Sequence, residues 1–124
     1  MPAAKEILAG GIAAPAADAI TGSQALAVSA AGSTQATATV LSATDTQITT
    51  AAASTGVILP LWAQPGDEFW VYNGGANAVL VYPPLASGAS IGAGAANAGF
   101  SVAANKGALF KMMGPLFWMP ILSA

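Results

Sequence analysis

Asp67 and Glu68 are the only adjacent acids in the chain, and they follow a Pro65-Gly66 pair. They are the first place to look for acid–base chemistry. Neighbouring side chains on a strand point to opposite faces, whereas two carboxyls that act on one bond must flank it from the same cleft. Their adjacency predicts that they cap the "QPGD" turn and mark a strand mouth, with no catalytic role. The sequence has no His, Cys or Arg, which removes every Ser-His-Asp or Cys-His nucleophile set and every imidazole or thiolate metal site. Asp18 and Asp45 have no calcium-loop spacing around them. "GAGAANAG" at 92–99 lacks the lysine and the helix of a phosphate loop. The expectation is a non-enzyme with no cofactor and no metal.

The aromatic residues are more informative. In "EFWVY" (68–72) Phe69 and Val71 face one way, and Trp70 and Tyr72 the other. In "AVLVYPP" (78–84), Val79 and Val81 oppose Leu80 and Tyr82 in the same manner. "NGGAN" between the two runs predicts a hairpin. One face of that hairpin would fill a core. The other, with Trp70, Tyr72, Leu80 and Tyr82, carries amphipathic side chains of the kind enriched at protein interfaces. The terminal "LFWMP" adds Phe117 and Trp118. These residues are assigned to a contact with a neighbouring chain. A sugar-stacking platform is the other use of the same rings, although few charged groups are at hand for the hydroxyls.

The elements that must position these rings sit in a chain of 124 residues, 55 % hydrophobic and only 6 % charged, with net charge −2. Soluble domains are typically about 25 % charged. Only Lys5, Glu6, Asp18, Asp45, Asp67, Glu68, Lys106 and Lys111 carry charge, so a large contact with other chains and a Ser/Thr/Asn/Gly surface are both expected. Three lysines cannot displace the counterions that nucleic-acid binding requires. "GALFKMMGPLFWMPILSA" is too short and too broken by Lys111, Gly114, Pro115 and Pro120 to span a bilayer. A secretory leader fits poorly too, and Pro2 after Met1 suits a cytoplasmic product.

Residues 1–24 hold no steady period and suit an extended N-terminal arm, with a short helix over "AAKEILAG" ended by Gly10 and Gly11, or else a solvated tail. Its apolar Ile7, Leu8 and Ile12 favour docking on a neighbour. From residue 25 to 124, seven to nine short runs at 8–12-residue spacing predict one all-β domain: an antiparallel sandwich, jelly-roll-like, or a barrel. Among them "GFSVAA" and "ALFKMM" are read as a second hairpin across "NKG". The turns "GAN" (75–77), "AAN" (95–97) and "AAN" (103–105) share residues that tolerate left-handed backbone, but their unequal spacing argues against a solenoid repeat.

The stretch "GVILPLWAQPGDEFWVYNGGANAVLVYPP", with "ASIGAGAANAGFSVAANKGALFKMM" and "LFWMPILSA", resembles small β-rich structural proteins of tailed-phage virions. The resemblance covers about residues 56–124 and consists of turn and strand patterns without site residues. It implies a capsid decoration, or cement, protein on the virion surface, made in the host cytoplasm. Such a protein would bind the major capsid protein as a homo-oligomer, a trimer by analogy. A head-fibre or tail-fibre module, possibly glycan-binding, is the second implication.

Overall fold

Residues 23–123 of the computed structural model are described, and they contain ten strands and no helix. The strands are β1 (Gln24–Ser29), β2 (Thr39–Val40), β3 (Asp45–Thr50), β4 (Gly56–Ile58), β5 (Glu68–Asn73), β6 (Val79–Tyr82), β7 (Ser90–Ile91), β8 (Phe100–Val102), β9 (Lys106–Gly114) and β10 (Phe117–Leu122). They form a six-stranded sheet in the order β1-β3-β5-β9-β10-β7 and a four-stranded sheet in the order β2-β4-β6-β8.

Through β6 the chain changes sheet at every strand. β1, β3 and β5 pair in parallel in one sheet, and β2, β4 and β6 pair in parallel in the other. Each β1–β2, β3–β4 and β5–β6 unit is therefore one coil of a short β-solenoid. This corrects the antiparallel sandwich or barrel. Parallel neighbours need a long crossover, and here the opposite sheet's strand supplies it. The unequal spacing that argued against a solenoid is present, with Gln24 opposite Asp45 and Asp45 opposite Trp70. Corner loops of different length absorb it.

The corners also replace both predicted hairpins. β5 and β6 lie in different sheets, as do β8 and β9. Apart from an isolated bridge between Ala31 and Gly56, antiparallel pairing begins after the coils, where β8 joins β6, β9 joins β5, and β10 folds back on β9. The β5–β6 corner is built around Asn73, which is fully buried. Its Nδ2 donates to the carbonyls of Asn77 (2.8 Å) and Val102 (3.0 Å), and its Oδ1 accepts from Gly75 N–H at 3.0 Å. The corner stacks on the preceding coil: Gly74 N–H donates to the Ile48 carbonyl and Asn77 Nδ2 to the Ala51 carbonyl. A Cβ on Gly75 would stand 2.7 Å from the Ala51 Cβ, so only glycine permits this approach. Asn97 and Asn105 take φ 61°, the left-handed backbone that their turns predict.

Alternation decides which side chains enter the space between the sheets. Phe69 and Val71 of β5, Val79 and Val81 of β6, Phe110 of β9 and Trp118 of β10 are all at most 1 % exposed and join one core cluster. The Phe69 ring centroid lies 5.7 Å from that of Trp118, and those of Phe100 and Phe110 are 5.6 Å apart, edge to face. Rings of this size bury about 150–250 Å² each, and the Val, Leu and Ile side chains packed around them supply the rest of the hydrophobic stabilisation.

Candidate functional site

Twelve large apolar side chains are exposed among the described residues, and two groups of them form concave patches. The first lies on the outer face of the six-stranded sheet. β5 alternates strictly, so Trp70 and Tyr72 both leave the core and stand beside each other, 52 % and 44 % exposed. In register across β3, Asp45 lies opposite Trp70 and Gln47 opposite Tyr72. Leu26 of β1 closes the far side, and the resulting groove encloses about 280 Å³. A Cβ on Gly74 would lie 3.4 Å from Tyr72 Cε2, and one on Gly107 3.6 Å from Cδ1. The phenol ring thus rests across two glycines.

The second patch lies at the β4–β5 corner. Pro60 ends the buried run of β4, and Leu61 and Trp62 turn outward to 69 % and 55 % exposure. With Val40 and Leu85 they line an apolar hollow of about 260 Å³. The Trp62 ring packs against core Phe69, their centroids 5.6 Å apart and their planes tilted by 60°. Neither Leu61 nor Trp62 is among the contact residues expected from the sequence, because "GVILPLW" looks like one continuous buried run. Pro60 and Pro65 were the available signal that the strand stops early.

The predicted contact residues do not share one face. Trp70 and Tyr72 are together and exposed, whereas Leu80 and Tyr82 belong to the other sheet. Tyr82 is buried by its own chain: its ring sits against Ala38 and Ile58 and its hydroxyl donates to the Ser33 carbonyl at 3.2 Å. The 31–38 segment that covers it is held by Gln35, whose Nε2 donates to the carbonyls of Pro83 and Pro84. Leu80 is half-buried beneath the same cover. Phe117 is 41 % exposed, but Trp118 is fully buried and is a core residue. Adjacent strand residues face opposite ways, so Phe117 and Trp118 could not both have served one surface. Ile7, Leu8 and Ile12 lie outside the described residues.

The acids behave as turn and surface groups. Asp67 Oδ2 accepts from Gln64 N–H at 2.9 Å, and Asp67 N–H donates to the Gln64 carbonyl; Gly66 at φ 98° completes a type II turn. Glu68 faces Lys111 across the β5–β9 pair, with 3.8 Å between charges. That exposed pair contributes at most about 1 kcal/mol. Among the described residues no three potential metal-binding side chains cluster, and no helix is long and apolar enough to cross a membrane. No family model, curated protein or solved structure matches the chain.

Proposed function

We propose that the protein is a structural virion component of the capsid-decoration type. It binds a shell of major capsid protein from outside, as a homo-oligomer, a trimer by analogy, and stabilises the head through protein–protein contacts. It catalyses nothing and engages neither nucleic acid nor membrane. The observation that carries this reading is the balance of the surface. Among the described residues twelve large apolar side chains are at least 41 % exposed, while the whole chain owns eight charged residues. Patches of this kind mark interaction sites, and a stable interface buries roughly 800 Å² on each partner.

The Leu61–Trp62 corner is the contact we assign to the shell, joined by the arm that carries Ile7, Leu8 and Ile12. Contacts made only with the folded, assembled shell shift its equilibrium by mass action. Removing residues 1–20 tests the arm: truncated protein is expected to keep its unfolding midpoint and to be lost from sedimented particles. Normal decoration by the truncated chain would overturn that assignment. The groove at Trp70 favours a second reading, a head- or tail-fibre module, which predicts a thermostable trimer in solution without any shell.

A further inference from the structure

We propose that Asn73 is a self-modification site that the fold holds shut. When the β5–β6 corner opens, its side chain cyclises on Gly74 and is hydrolysed to aspartate or isoaspartate, which can no longer hold the corner. The chain has four asparagines, and only Asn73 is followed by glycine. Lacking a Cβ, glycine leaves its own nitrogen open to the preceding side chain and permits the backbone angles that ring closure needs. In the reaction the Gly74 nitrogen attacks Asn73 Cγ and gives up its proton. The Cγ–Nδ2 bond breaks, and ammonia leaves with that proton. Water then opens the cyclic imide at either C–N bond. One opening restores the main chain with aspartate, and the other carries it through the side-chain carbon as isoaspartate. Water is the co-reactant, and nothing is oxidised or reduced.

The folded corner opposes each step. Gly74 N–H donates to the Ile48 carbonyl at 2.8 Å, so the attacking nitrogen is directed at the preceding coil. The carboxamide is engaged at both ends: Nδ2 donates to the carbonyls of Asn77 and Val102, and Oδ1 accepts from Gly75 N–H. Turning Cγ onto Gly74 breaks those bonds inside the protein, where lost partners are not replaced by solvent. Asn73 is 0 % exposed, which excludes the water that must open the imide. Gly75 is pressed against Ala51, where a Cβ would stand 2.7 Å from the backbone nitrogen, so the corner has no slack for a rearranged chain.

The same contacts decide what the product does. A carboxylate accepts hydrogen bonds and donates none, so at position 73 it would meet the Asn77 and Val102 carbonyls oxygen to oxygen. If it turned instead toward Lys106, its register partner on β9, both carbonyls would lose their donor. Isoaspartate also adds a main-chain carbon at a corner without room for it. Chemical change of the unfolded chain makes unfolding progressively irreversible. The site is independent of where on a particle the protein sits.

The test follows the full chain in mildly alkaline buffer, with and without denaturant, by peptide mass mapping of every asparagine. In denaturant Asn73 is expected to convert at least about tenfold faster than Asn77, Asn97 or Asn105. Without denaturant its conversion should be at least about a hundredfold slower, because the open corner is rarely populated. Gly74→Ala, measured in denaturant where folding plays no part, should slow the conversion about tenfold. Asn73→Asp supplies the product directly and should unfold at lower denaturant than the parent. The proposal is overturned if Asn73 converts as fast in the folded chain as in the unfolded one. It is equally overturned if another asparagine outruns Asn73 in denaturant, or if Asn73→Asp keeps the parent's midpoint.

Discussion

The side-chain amide of Asn73, at the end of β5, donates a 3.0 Å hydrogen bond to the carbonyl of Val102 on β8, so one buried residue ties the two sheets together. The same amide closes the β5–β6 corner through Asn77 and Gly75. Asn73→Ala would leave two carbonyls and one N–H inside the fold without this partner. Each buried unsatisfied group costs about 1–3 kcal/mol. A loss of ~3 kcal/mol or more is expected in denaturant unfolding, with fast amide exchange appearing first at the corner. A loss below ~1 kcal/mol would show that water or a local shift replaces the amide.

The three tryptophans should separate in solution. Trp62 and Trp70 are more than half exposed and Trp118 is fully buried. A Trp62→Phe/Trp70→Phe chain is expected to fluoresce at short wavelength and to resist acrylamide, since only Trp118 remains. Trp118→Ala opens a cavity beside Phe69 and should cost about 3–5 kcal/mol. Trp70→Ala should stay within about 0.5 kcal/mol of the parent, as surface changes do.

Tyr82 is seated between two glycines. A Cβ on Gly56 would stand 2.8 Å from its ring and from the Leu80 carbonyl, and one on Gly99 3.0 Å from the ring. Gly56→Ala must therefore push the ring or the strand aside, at a cost of roughly 1–3 kcal/mol. Loss of the Tyr82–Ser33 hydrogen bond should accompany it, visible as increased protease cutting within 31–38. Wild-type stability in Gly56→Ala would contradict the close packing of this face.

Much of the strand inventory was legible, and most of the pairing was not. The period-2 pattern of "EFWVY" says correctly that Phe69 and Val71 go inward and that Trp70 and Tyr72 go outward. It says nothing about which strand lies beside β5. That neighbour is β3 on one side and β9 on the other, and a turn such as "NGGAN" serves a coil corner as readily as a hairpin. The burial of Tyr82 was hidden for a related reason. Its cover comes from Ser33 and Ala38, more than forty positions earlier, and no local pattern reports a contact of that range. Two-residue strands such as β7 have too little sequence to show a period at all.

The apolar corner separates folding from attachment. Leu61 and Leu85 are 69 % and 45 % exposed, so Leu61→Asp/Leu85→Asp should unfold at the parent's midpoint within the small range of surface changes. Placing two carboxylates in a dry contact is strongly unfavourable. The variant is expected to remain in the supernatant when particles are sedimented, while the parent pellets with them. Equal pelleting would contradict the proposed shell contact at this corner.

The proposed role in capsid decoration is tested by an electron-microscopy reconstruction of phage particles assembled with this protein. The coiled β-fold is expected on the outer capsid surface, in symmetric copies, with the Leu61–Trp62 corner turned toward the shell. Density for the fold on the tail, inside the shell or nowhere on the particle would contradict it.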